Sequence, residues 1–240
     1  MCKDCGCHEG NQRSLLQMGT TTPLLVTRKI ILSEQSILAK NDNIAASNRN
    51  WLTKNNIASV NIMSSPGAGK TFLLEKTLTE LNKYKKVSVL VGDQQTDQDY
   101  QRLKDHGARA KQINTVSACH LDASMIQKEL ESFVSPNDDL LIIENVANLV
   151  CPAAFDLGEG KRVAMLSVTE GEDKPIKYPV LFNKADLILI SKIDLLPHLD
   201  WELDLAHKYI RQINPTAKII ELSAKNGTGL KAWFNFLLEI

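Results

Sequence analysis

The sequence predicts an α/β protein built on a mostly parallel sheet flanked by helices. Three observations predict it. From residue 57 onward, short apolar runs alternate with amphipathic segments. A glycine-rich octapeptide, Ser64-Ser65-Pro66-Gly67-Ala68-Gly69-Lys70-Thr71, follows the first run and opens an amphipathic segment. Carboxylates and other polar side chains follow later runs, where open α/β sheets bind ligands.

Strands are expected at 57–63, 87–91, 110–113, 140–143, 163–168, 187–190 and 218–222, where apolar residues run together for only a few positions. Helices are expected at 70–82, 98–106, 120–133, 201–213 and 229–238, where apolar residues recur at helical spacing. Residues 1–25 are polar and lack such periodicity, so they read as a flexible tail. Residues 26–52 carry helical spacing up to Trp51-Leu52, as one helix or two, and 53–240 form the main domain.

The chain is charge-balanced, with 28 Lys plus Arg against 28 Asp plus Glu, so neither nucleic acid nor an anionic membrane is an expected partner. No apolar run approaches the ~20 residues of a membrane span. The N-terminus lacks the apolar core of a signal peptide. A cytoplasmic location is expected, where thiols stay reduced and clustered cysteines read as metal ligands or redox groups.

The octapeptide has the strand-before, helix-after context of a P-loop, so the chain reads as a P-loop NTPase. Its glycines let backbone amides close around phosphate oxygens, aided by the helix N-terminus. Pro66, Gly67, Ala68, Gly69, Lys70, Thr71 and Phe72 are the expected phosphate contacts. Lys70 reaches the β and γ phosphates and the Thr71 hydroxyl ligates Mg²⁺. Ser64 stands where the usual pattern has its first glycine.

A single carboxylate can accept both N1–H and the 2-amino group of guanine, so GTP selection requires an Asp. Asn183-Lys184-Ala185-Asp186 matches the Asn-Lys-x-Asp pattern of GTPases but precedes the apolar run 187–190. Ser191-Lys192-Ile193-Asp194 has Ser for Asn, yet stands at the carboxyl end of that run. Position outranks spelling, so Lys192 and Asp194 are the expected guanine contacts and Asp186 a decoy. Ser223, Ala224 and Lys225 would supply the backbone contact to the guanine oxygen. Loss of the Asn amide at Ser191 is expected to loosen the loop.

Glu144 ends the run Leu-Leu-Ile-Ile, and Asp93, Asp97 and Asp99 crowd the loop after another strand. Clustered carboxylates repel unless a cation compensates. Glu144 and Asp99 are placed near Mg²⁺, with Asp93 a third participant. Lys70, Thr71, Asp93, Asp99 and Glu144 are thus the expected catalytic set.

The cysteines fall in two places. Cys119-His120 and Cys151 offer two thiolates and an imidazole, a set that suits Zn²⁺ or Ni²⁺ or, more blandly, buried thiols beside a core His. Three ligands leave the site incomplete, to be finished by a symmetric partner chain or solvent. Cys2, Cys5 and Cys7 lie on the tail and can wrap one ion. With the α-amine as fourth ligand they favour square-planar Ni²⁺, and His8 is a further candidate. His106, His198 and His207 read as solvated, without partners.

Several longer strings closely resemble the HypB family, GTPases that assist nickel insertion during nickel-iron hydrogenase maturation. They are Gly-Asp-Gln-Gln-Thr-Asp at 92–97, Gln-Ile-Asn-Thr at 112–115, Cys-His-Leu-Asp-Ala at 119–123 and Glu-Asn-Val at 144–146. To these add Asn-Leu-Val-Cys-Pro-Ala at 148–153, Phe-Asp-Leu-Gly-Glu at 155–159 and Thr-Glu-Gly-Glu-Asp-Lys-Pro-Ile-Lys-Tyr-Pro at 169–179. The resemblance implies a P-loop GTPase fold of the class that includes signal-recognition and partition proteins. It implies a homodimer favoured by GTP, with metal held by Cys119, His120 and Cys151 at its interface. It implies tight nickel binding at Cys2, Cys5 and Cys7, and a Lys177 that contacts nucleotide across the dimer. A HypA-type nickel accessory protein and the hydrogenase large subunit are the implied partners. The chain departs from the pattern at Val116 and Ala147, usually Gly, and at Ser191. It also lacks the His-rich tract of many members, which argues against bulk nickel storage. Two other readings stay open: a urease-type nickel GTPase, and a zinc-binding regulatory or storage protein with a vestigial GTPase.

Overall fold

The computed structural model describes the backbone of residues 23–93, 98–105, 109–115 and 119–240, with side chains for 36–92, 100–104, 109–115 and 119–240. Cys2, Cys5, Cys7, His8, Asp97, His106 and Val116 lie outside the described residues, as do the side chains of Asp93 and Asp99.

Seven strands form one sheet: β1 (Ala58–Ser64), β2 (Val87–Asp93), β3 (Arg109–Asn114), β4 (Leu140–Glu144), β5 (Lys161–Ser167), β6 (Leu187–Ser191) and β7 (Lys218–Leu222). Their order is β3-β2-β4-β1-β5-β6-β7, and every pairing is parallel. Parallel strands need crossovers, and here these are mainly helices: α2 (Lys70–Leu81), α3 (Gln98–Asp105), α4 (Ala123–Ser132) and α8 (Leu203–Ile213), with α1 (Pro23–Lys54) before the first strand and α9 (Leu230–Glu239) after the last. Helix α1 is one continuous helix. Among the described residues no helix is long and apolar enough to cross a membrane.

Both sheet faces are covered, which explains why inner strands such as β4 and β6 read as continuous apolar runs. In β6, Leu187 and Leu189 join the cluster under α2 and α9, whereas Ile188 and Ile190 join the cluster under Phe182 and Ile210. A third cluster packs Leu52 of α1 and Ile126 and Leu130 of α4 over Leu141 and Ile143 of β4. Trp233 of α9 is fully buried and its indole N–H donates to Thr77 Oγ1 of α2 at 2.8 Å, so its polar atom stays satisfied.

The helix expected at 120–133 starts later, at Ala123, because Asp122 caps it: its Oδ1 accepts from Met125 N at 2.9 Å. His120 is therefore released from helical geometry. Three pieces escaped the periodicity reading because one turn carries no period: α5 (Cys151–Ala154), α6 (Lys174–Lys177) and α7 (Pro179–Asn183). The same holds for a 3-10 turn at Ile193–His198. His207 is not solvated without a partner: its Nε2 lies 2.8 Å from Glu221 Oε1, because β7 runs beside α8. His198 is exposed, as expected.

Gly158 turns the chain between α5 and β5 beneath α1. Its φ is +89°, and a Cβ there would lie 2.5 Å from the Ala45 carbonyl oxygen of α1. Gly158→Ala should therefore combine left-handed strain with overpacking and lower stability by roughly 2–4 kcal/mol. Urea unfolding reads this as a lower midpoint at unchanged slope; an unchanged midpoint would contradict the close approach.

Candidate functional site

The loop after β1 carries Gly67 at φ +73° and Gly69 at φ +94°, conformations that side-chain-bearing residues rarely adopt. They turn the chain from strand into α2, so that the loop amides stand at a helix N-terminus. Lys70 is buried and its Nζ donates to Ser64 Oγ at 2.8 Å, so the residue in the first-glycine position serves as its hydrogen-bond acceptor. Thr71 Oγ1 donates to Glu144 Oε1 at 2.7 Å, and both residues are buried. A hydroxyl beside a carboxylate is the hard-oxygen donor pair that Mg²⁺ requires, so these residues fit that ion. Asp93 ends β2 and Asp99 lies in the first turn of α3, and their backbones stand at this same carboxyl edge.

Beside the loop is a cavity of about 390 Å³, lined by Ala68, Gly69, Phe72, Met165, Ser191, Lys192, Asp194, Leu195, Leu222, Ala224 and Lys225. Seven of these were expected from the sequence. Asp194 Oδ1 accepts from Ser223 Oγ at 2.6 Å, which fixes the carboxylate toward the cavity wall. Lys192 adopts φ +62°, an uncommon conformation for a non-glycine residue, and its Nζ donates to the Gly67 carbonyl at 2.6 Å. Ser191 does not leave the loop loose. Its hydroxyl donates to the Ala68 carbonyl at 3.0 Å, because the end of β6 lies against the phosphate loop.

Asp186 sits at the other end of β6. Its Oδ2 accepts from Arg162 N at 2.8 Å and its Oδ1 from Lys161 Nζ at 3.1 Å, far along the strand from the cavity. Lys177 is exposed and pairs with Asp173 at 2.7 Å, which raises its pKa above the ordinary lysine value; it does not line the cavity of its own chain. Met165 and Leu195 were missed. The register that pairs Ser64 with Met165 brings Met165 to the loop, and no local pattern encodes that pairing. Glu170 was also missed: its carboxylate accepts from Ser65 Oγ and from Ser167 N, tying the phosphate loop to the segment after β5.

Cys119, His120 and Cys151 converge, and among the described residues they form a group whose ligand atoms all lie within 4.8 Å of one another. The two Sγ atoms are 2.7 Å apart and Cys119 Sγ is 3.8 Å from His120 Nδ1. Both cysteines are half-buried free thiols, and His120 is buried. The His120 ring stacks on Phe155 with centroids 3.9 Å apart. Soft sulfur plus imidazole suits a borderline-soft ion, with a fourth position left open. Ala147, where the resemblance led to an expectation of glycine, has no positive φ, so alanine fits there without strain.

The fold and this loop define a P-loop nucleotide-binding protein. Comparison with known proteins narrows the class. Residues 58–221 match the CobW/HypB/UreG nucleotide-binding domain. A hydrogenase maturation factor HypB from Azotobacter chroococcum is 48% identical over 215 residues, 90% of this chain and 70% of the relative. HypB from Escherichia coli is 44% identical over 221 residues, 92% and 76% of the two chains. Among solved structures, HypB from Archaeoglobus fulgidus superposes with a TM-score of 0.79 at 42% identity, covering 84% of this chain and 98% of that one. HypB from Helicobacter pylori in complex with nickel gives 0.78 at 40% identity, covering 83% and 94%. The chain belongs to the HypB group of the CobW/HypB/UreG family. The signal recognition particle 54 kDa protein of Aeropyrum pernix, at 14% identity and a TM-score of 0.53, shares the fold alone.

Burial pushes the His120 pKa below its ordinary 6.5, with Asp122 opposing only in part, so the ring is held in its neutral, ligating form. Below about pH 6.5 the unfolded chain takes up a proton that the folded ring resists, while above it this group contributes no pH dependence. Metal-free protein should therefore lose thermal stability as pH falls through that range, and His120→Gln should flatten the loss. Identical pH slopes for the two proteins would show that the ring is not held neutral.

Proposed function

We propose that this chain is a GTP-hydrolysing nickel metallochaperone for nickel-iron hydrogenase maturation, acting in the cytoplasm as a homodimer favoured by GTP. One observation carries the reading. Cys119, His120 and Cys151 converge at the sheet edge that bears the phosphate loop, and Cys151 lies seven residues beyond Glu144, which is bonded to Thr71. Glycine-loop amides and Lys70 hold the phosphates, and Asp194, oriented by Ser223, accepts from guanine. Thr71 and Glu144, with Asp99 and Asp93, would hold Mg²⁺, which when bound neutralises charge between the β and γ phosphates.

Loss of the γ-phosphate would relax the segment from Glu144 to Cys151 and change the geometry offered to the cargo metal. Coupling is reciprocal, so bound nickel should alter GTP affinity by the same factor. Among the described residues no arginine lines the cavity; intrinsic hydrolysis would then be slow, and Lys177 of a second copy would supply part of the missing charge. Cys2, Cys5 and Cys7 would hold nickel on the tail. A HypA-type accessory protein and the hydrogenase large subunit are the proposed partners. A second reading, service to urease, is favoured by one finding: a Helicobacter pylori relative described as a hydrogenase/urease maturation factor is 39% identical over 218 residues, 89% of each chain. The third, zinc storage or regulation, is decided by the metal test.

In a Cys2, Cys5 and Cys7→Ser protein, competition between Ni²⁺ and Zn²⁺ should show nickel affinity differing by roughly 5-fold or more between GTP and GDP. Binding of zinc alone, indifferent to nucleotide, would sink nickel delivery in favour of zinc storage. For the nucleotide, Asp194→Asn should move preference from GTP toward xanthosine triphosphate while Asp186→Asn keeps GTP. The reverse pattern would reassign the guanine site.

A further inference from the structure

Two asparagines of α1 each join the same two segments. Asn41 Oδ1 accepts from Ala123 N at 2.9 Å, and its Nδ2 donates to the Asp156 carbonyl at 2.8 Å. Asn48 Nδ2 donates to the Ala123 carbonyl at 2.8 Å and to the Leu157 carbonyl at 3.0 Å. Both side chains are buried, at 6% and 1% exposure. They are two helical turns apart and so share one face of α1.

The segments they join carry the thiolates and the imidazole. Ala123, the first residue of α4, follows His120 after only Leu121 and the cap Asp122, and Asp156 follows Cys151 after the single turn of α5 and Phe155, the residue stacked on His120. The two ligand-bearing segments belong to different crossovers, after β3 and after β4. A metal–sulfur bond near 2.3 Å tolerates displacements of only about 0.2 Å, so the spacing between these crossovers has to be held. A rigid helix face with four hydrogen bonds into the two segments holds it.

We infer that Asn41 and Asn48 are positioning residues for the Cys119, His120 and Cys151 site, α1 acting as a splint that sets the separation of its two halves. The inference rests on reading those three side chains as metal ligands. It also gives α1 a task beyond covering the sheet, since any displacement of the helix is transmitted to the ligands through two asparagines.

The test uses the full chain with Cys2, Cys5 and Cys7→Ser, so that only the internal site binds. Asn41→Ala and Asn48→Ala should each weaken Ni²⁺ binding by roughly 10–100-fold, the loss typical of a partner one step behind the ligands, and shift the thiolate-to-nickel charge-transfer band. Affinity for a GTP analogue without metal should stay at the parent value. A variant that loses thermal stability but keeps the parent band and nickel affinity would overturn the inference, leaving the asparagines as fold contacts only. Should an alanine variant fail to fold, Asn41→Asp decides: it keeps an acceptor for Ala123 N but sets a buried carboxylate against the Asp156 carbonyl in place of the donation. Parent-like nickel binding in that variant would also overturn the splint. Cys119→Ser with Cys151→Ser in the same background separates the premise: unchanged nickel binding there removes the metal-site reading itself.

Discussion

The hydrogen bond from Thr71 to Glu144 joins the phosphate loop to the strand that leads into the Cys151 segment. Glu144 is 3% exposed, and a carboxylate buried that deeply costs several kcal/mol unless partners or a cation compensate. The end of β4 is thereby committed to whatever occupies the loop. The segment from Asn145 to Cys151 inherits its starting point from this contact. Phosphate binding and thiolate placement thus share one short stretch of chain.

A polar chain also leaves this stretch through the core. Asn145 Nδ2 donates to Asn61 Oδ1 at 3.1 Å, and Asn61 Nδ2 donates to Glu159 Oε1 at 3.2 Å. Glu159 also accepts from Arg162 Nε at 2.7 Å and from Leu157 N at 2.8 Å. Every one of these polar groups is satisfied, the condition under which a buried network rigidifies a core rather than weakening it. Leu157 returns the chain to Asn48 and α1. The exposed ion pair in which Arg49 Nη2 donates to both Asp156 carboxylate oxygens lies alongside, but a pair open to solvent contributes at most about 1 kcal/mol. The buried asparagines hold α1 more firmly.

Legibility in the sequence followed the range of the interaction. The phosphate loop could be read because strand, glycines, lysine and helix are contiguous. Asp194 could be separated from Asp186 because the two bracket one apolar run, and strand direction sends only one of them to the ligand edge. The convergence of Cys119 with Cys151 was suggested by residue type and came with the family resemblance, since 32 residues separate them. Asn41 and Asn48 were invisible: their partners lie 75 to 115 positions away, and an asparagine on a helix carries no mark of what it will meet. Met165 and Glu170 were missed for the same reason, being brought to the loop by sheet register. Asp122 capped α4 against the apolar periodicity that had extended that helix to His120.

The strand order carries a consequence for how the molecule is made. β1 lies between β4 and β5, yet residues 65–139 separate it from the first of these neighbours in the chain. Contacts this distant in sequence form late, because loop closure comes before any pairing rewards it. During synthesis the phosphate loop emerges early but has no flanking strand until β4 and β5 have followed it. The nascent chain therefore passes through a long interval with β1 unpaired, during which nucleotide cannot stabilise it. Protection of that apolar strand must come from local collapse onto α2, or from the cell's chaperones.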